Sequence, residues 1–183
     1  MSAFSIAVFC GSQSGNQPLY TEHATALGTY MGKHDIHLIY GGGNKGIMGS
    51  VANAVLENGG RVTGIIPELL IGWEQQHEGI TDLQVVADMH ARKKIMYDLC
   101  DMAIILPGGY GTLDELFEIL TWNTLKIHQK KIIILNSAGF YDHLLNHIKH
   151  MQDSKFLYEP WDERIKIASN VEEAISFLDA NKN

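Results

Sequence analysis

The sequence predicts an α/β protein built on a doubly wound parallel sheet, with residues 1–183 read as one domain. Three observations carry this expectation. Short apolar runs alternate with amphipathic segments of helical period, glycine-bearing links join them, and no internal repeat or low-complexity tract interrupts the pattern.

Taken in order, residues 4–10 form an apolar run ending in Gly11, Ser12, Gln13, Ser14 and Gly15. Pro18 then opens a helical pattern holding Leu19, Ala24, Leu27 and Met31. Residues 36–40 predict a second strand, and a loop of Gly41, Gly42, Gly43, Asn44, Lys45 and Gly46 leads into a helix with Ile47, Met48, Val51, Ala52 and Val55. Asn58, Gly59 and Gly60 stop that helix, and residues 61–66 predict a strand closed by Pro67. Residues 67–79 show no clear period. Beyond them come a short strand at 83–86, a helix capped by Asp88 and the apolar run 102–106. Strands at 132–135 and 165–168, with helices from Phe140 and Val171, complete the pattern. Parallel strands open their following loops at one edge, so the loops after Cys10, Tyr40 and Leu106 should converge where the strand order reverses.

A chain of 183 residues with 45% hydrophobic content suffices for one core. Its net charge of -7 argues against a surface that binds nucleic acid or membrane, so any anion site must be local. Cys10 and Cys100 lie in or beside apolar stretches without metal or redox spacing, and read as buried free thiols. The opening MSAFSIAVFCGS carries no basic leader and too short an apolar run for a signal or membrane span. The expectation is a soluble, cytoplasmic protein.

The chemistry concentrates in LPGGYGTLDE, residues 106–115, where the central strand turns into an amphipathic helix marked by Leu113, Leu116, Phe117 and Leu120. Gly108, Gly109 and Gly111 lack a Cβ, so their N–H groups can turn toward an anion at the positive end of that helix. Thr112 and Glu115 also have capping-box spacing, which gives Glu115 a structural reading beside a catalytic one. The Gly41 to Gly46 loop lacks the ending of a triphosphatase loop and the GxGxxG spacing, leaving Gly42 and Gly43 as either a phosphate loop or a tight turn. Arg92, Lys93 and Lys94 stand early in their helix, where the dipole disfavours cations and an anionic partner would relieve them. Spacing puts Arg92 and Lys93 beside the inward face and lets Lys94 pair with Asp98. His143, His147 and His150 share a helix face without clustered carboxylates, so no metal site is expected. No lysine has the setting of a pyridoxal Schiff base, and no loop has a nicotinamide fingerprint, so no cofactor is expected either.

FCGS at residues 9–12, YGGGNKGIMG at 40–49, DMHARKKIM at 88–96 and LPGGYGTLDE at 106–115 together resemble the Lonely Guy family of cytokinin riboside 5'-monophosphate phosphoribohydrolases, long labelled lysine decarboxylases. The resemblance runs from about residue 4 to residue 178 and includes ELFEILTW at residues 115–122. It implies a Rossmann-like homodimer that hydrolyses the N-glycosidic bond of an adenosine 5'-monophosphate, with or without an N6 substituent, to free base and ribose 5-phosphate. It also implies Arg92 and Glu115 as the catalytic pair, with nucleotide contacts from Glu74, Lys93, Gly109, Tyr110, Gly111, Thr112, Leu113, Asp114 and Thr121. Asp114 replaces the glutamate that many members carry. The competing reading is a non-catalytic nucleotide-binding or sensing protein, because a phosphate cradle does not require Glu115.

Overall fold

The computed structural model describes residues 3–71 and 75–182. Seven strands, β1 (Ser5–Phe9), β2 (His37–Tyr40), β3 (Val62–Pro67), β4 (Asp82–Val86), β5 (Met102–Ile105), β6 (Ile132–Leu135) and β7 (Ile165–Ala168), form one sheet in the order β4-β3-β2-β1-β5-β6-β7. Every neighbouring pair is parallel. Six helices connect and cover it: α1 (Pro18–Lys33), α2 (Gly46–Glu57), α3 (Met89–Leu99), α4 (Tyr110–Thr124), α5 (Asp142–Asp153) and α6 (Val171–Asp179).

The near-continuous apolar character of β1, β5 and β6 follows from burial on both faces. Successive side chains point to opposite sides of a strand. Ile6, Val8, Leu38 and Ile104 therefore pack with Leu27 and Met31 of α1, Val51 and Val55 of α2, and Leu178 of α6. Ala7, Phe9, Ile39 and Ile105 instead join Met96 and Tyr97 of α3 with Leu116 and Ile119 of α4. These two clusters are the two halves of the core.

Along the chain the strands step outward from β1 to β4, then return to the centre at β5. The order reverses between β1 and β5, whose ends are in register at Phe9 and Ile105. Their loops are tied there: Leu106 N donates to Phe9 O at 2.9 Å, and Gly11 N donates to Pro107 O at 3.0 Å. The crevice of an open α/β sheet lies at this point.

Asp88 caps α3 as expected, its Oδ1 accepting from Ala91 N at 2.8 Å, an arrangement worth about 1 kcal/mol. The helix expected from Phe140 begins two residues later, at Asp142. A short turn, Ser137–Gly139, comes first, with Ala138 and Gly139 at positive φ, and Asn136 Oδ1 accepts from Tyr141 N. Among the described residues no helix is long and apolar enough to cross a membrane.

Candidate functional site

Three helices begin around the crevice, α1 after Gln17, α2 after Lys45 and α4 after Gly109, and none of them carries a side-chain cap. The positive ends of their dipoles face a cavity of 270 Å³ bounded by Gly11, Ser12, Ile47, Gly108 and Gly109, with Tyr20 and Phe140 as its aromatic wall. A Cβ on Gly108 would lie 2.1 Å from Thr112 Oγ1 and 2.8 Å from Gly11 N, so only glycine lets the β1 and β5 loops meet. Met48 N of α2 donates to Gly11 O at 3.2 Å, which draws the third loop into the same cluster. The predicted convergence of three glycine loops is therefore present.

Arg92 and Glu115 are buried, at 3% and 5% exposure. The Arg92 Nη2 donates to Gly41 O at 3.0 Å, seating the guanidinium against the end of β2. Gly41 is the residue that permits this approach, since a Cβ there would stand 1.8 Å from Nη2. Lys93, about 100° further round α3, faces α4 and makes ion pairs with Asp114 at 2.9 Å and Glu118 at 3.1 Å. Burial opposes the charge on Lys93, but hydrogen bonds to Asp114 and Glu118 and their negative charges outweigh it, and the pKa is raised. Tyr97 Oη donates toward Glu118 Oε2 at 3.0 Å and the Glu115 carbonyl at 3.2 Å. Desolvation first, then the neighbouring carboxylates, push the phenol pKa up, so it stays protonated.

The capping box does not form. α4 starts at Tyr110 with Gly109 as its N-cap, so Thr112 is its third residue and Glu115 lies inside the helix. The Thr112 hydroxyl packs at Gly108 instead, and Glu115 is a buried residue in the second turn of the helix. The Lys93 ammonium, which the resemblance places at the nucleotide, is engaged by the α4 carboxylates of Asp114 and Glu118.

The remaining positions divide by face. Gly108 and Gly109 border the cavity, and Gly111 and the buried Thr112 continue the first turn of α4. Tyr110, Leu113, Asp114, Thr121 and Trp122 line a shallow hollow on the outer side of α4, where Thr121 Oγ1 donates to Phe117 O at 2.7 Å. Gly42, at φ +81°, and Gly43 serve a turn: Gly42 O accepts from His77 N at 2.9 Å, and Gly43 pairs with Gln76. Glu74 lies outside the described residues. The Gln75 carbonyl accepts from Asn44 N at 2.8 Å, which ties residue 75 to the Gly41 to Gly46 loop. Lys94 pairs outward with Asp98 at 2.5 Å, and both cysteines are buried thiols outside any disulfide, as expected. Among the described residues no group of three His, Cys, Asp or Glu side chains is arranged to hold a metal.

Sequence reasoning missed Tyr97, Glu118 and Gly41. Tyr97 stands four residues after Lys93 and Glu118 four after Asp114, so helix-face spacing carried the signal for the first two. Nothing local marked Gly41 among its neighbouring glycines.

A doubly wound parallel sheet with helix starts gathered around a cleft at its switch point defines a Rossmann-like α/β protein. Residues 48–178 match the family model described as possible lysine decarboxylase. The chain is 40% identical, over 95% of its length and 88% of the relative's, to a cytokinin riboside 5'-monophosphate phosphoribohydrolase of Rhodococcoides fascians. It is 45% identical to the enzyme of that name, LOG7, of Arabidopsis thaliana, covering 95% of this chain and 80% of that one. The chain belongs to this family, the Lonely Guy phosphoribohydrolases. Among solved structures, the molybdenum cofactor binding protein of Rippkaea orientalis superposes with a TM-score of 0.75 at 24% identity, covering 98% of each chain, a likeness of fold.

Proposed function

We propose that this protein hydrolyses the N-glycosidic bond of adenosine 5'-monophosphate and its N6-substituted forms, releasing the free base and ribose 5-phosphate. The observation that carries the reading is a cavity ringed by helix starts at the head of α4, the helix that bears the buried acid Glu115, with the buried guanidinium of Arg92 seated at the end of β2. The names of the relatives support the same reaction.

In this reading the 5'-phosphate sits at the start of α4, on N–H groups of the Gly108 to Thr112 segment, where a dianion meets a positive dipole. Phosphate binding then fixes the ribose, and binding energy remote from the reacting bond orients it. As the C1'–N9 bond breaks, its electron pair leaves with the base and positive charge builds on the sugar. The Glu115 carboxylate stabilises that charge, directly or by taking a proton from the attacking water. Arg92, seated on Gly41, holds the carboxylate or the ligand in place. Water completes the ribose and a proton completes the base, so no cofactor enters.

The reading extends to a cytoplasmic homodimer with residues 1–183 acting as one unit. Asp114 and Thr121 sit on the outer side of α4, and the exposed Phe117, Leu125 and Ile127 give that side an apolar surface suited to a second copy. Thr121 would then reach the nucleotide of the neighbouring protomer.

Chromatographic assay of base release tests the reaction. Monophosphates should react at least about 100-fold faster, in kcat/KM, than the matching nucleosides. Equal rates would remove the phosphate from the mechanism. Nucleotide binding without base release would leave a non-catalytic binding protein.

A further inference from the structure

We infer that Tyr97 and Glu118 are positioning residues for Glu115, forming with Lys93 a polar bracket that sets α4 against α3. The inference rests on the hydrolytic reading above and deepens it.

The acid and the guanidinium come from different helices, Glu115 from α4 and Arg92 from α3. Their relative placement therefore depends on how those helices are joined, and the polar joint lies one residue or one turn away from each. One oxygen, Glu118 Oε2, accepts from both the Tyr97 phenol at 3.0 Å and the Lys93 ammonium at 3.1 Å. Lys93 is the neighbour of Arg92 in sequence, and Glu118 lies one helical turn beyond Glu115. The same phenol lies 3.2 Å from the backbone carbonyl of Glu115 itself, so the contact reaches the main chain of the acid.

The ring has little freedom to place its hydroxyl elsewhere. Tyr97 is fully buried, meets Phe9 edge-on at 5.9 Å and meets Trp122 edge-on at 5.1 Å. Phe9 belongs to β1, so the ring registers both helices against the central strand. A tyrosine with no purpose beyond filling the core would be matched by phenylalanine at equal volume. Here the hydroxyl touches α4 at both Glu115 and Glu118. Catalytic geometry is sensitive at this scale, because a displacement of about 1 Å can cost on the order of 100-fold in rate.

Steady-state kinetics of Tyr97→Phe with adenosine 5'-monophosphate tests the assignment, alone and combined with Glu115→Gln. The ring packing survives in Tyr97→Phe, so the variant should fold, with kcat reduced about tenfold or more and KM changed less than about twofold. Glu118→Gln should show the same split between kcat and KM. In the Glu115→Gln background the residual rate should be indifferent to Tyr97→Phe, because a group acting through Glu115 has nothing left to position. Wild-type kcat in folded Tyr97→Phe overturns the inference, as does a loss that persists at full size in the Glu115→Gln background. Absence of base release by the wild-type protein overturns the hydrolytic reading and this inference with it.

Discussion

Glu115→Gln is expected to lower kcat for base release by about 10³-fold while the protein still folds and binds nucleotide. The substitution keeps the shape of a side chain at 5% exposure and removes its charge. An amide neither neutralises the cationic sugar that develops at C1' nor takes a proton from water, so the loss falls on the chemical step. KM should move little, because the helix starts at Gly109, Lys45 and Gln17 are untouched. Kinetics alongside circular dichroism check this. Near-wild-type kcat in a folded variant would return Glu115 to a packing role.

Gly41→Ala is expected to reduce kcat/KM by about 100-fold with only modest loss of stability. The added methyl would stand 1.8 Å from Arg92 Nη2, 3.0 Å from Arg92 Cζ and 3.4 Å from Met48 Cε. The crowded atoms are the far ends of flexible side chains, so the guanidinium can swing away at a folding cost of about 1–3 kcal/mol. In doing so it gives up the 3.0 Å hydrogen bond to Gly41 O that seats it at the end of β2. Combining Gly41→Ala with Arg92→Ala should add little to Arg92→Ala alone, since both act through one group. Kinetics of the three variants and their melting temperatures measure this. Full kcat/KM in Gly41→Ala would show that the seat of Arg92 is irrelevant to the rate.

The fold was legible because its strands are nearly pure Ile, Val, Leu and Ala, and the links between elements carry glycine. β6, β7 and the start of α6 fall where the apolar runs and the helical pattern from Val171 put them. The gathering of the three glycine loops followed from the parallel pattern alone. Two site details did not. The Thr112 and Glu115 spacing satisfies a capping box, but the strand β5 ends so close to the helix that Gly109 takes the cap, and the threonine hydroxyl packs back on Gly108. The ion pairs of Lys93 were not legible because its partners, Asp114 and Glu118, are 21 and 25 residues away in sequence and meet it only across two packed helices. Local pattern describes one element at a time, whereas the positions of Arg92, Lys93 and Tyr97 are decided between elements.

A crystal structure of the Glu115→Gln protein with adenosine 5'-monophosphate bound tests the central claim most directly. The account predicts the phosphate within hydrogen-bond reach of the amides at the start of α4 and the glycosidic carbon against side chain 115, with Arg92 beside it. A nucleotide lying elsewhere, with its phosphate away from that helix start and its sugar out of reach of both side chains, would contradict it.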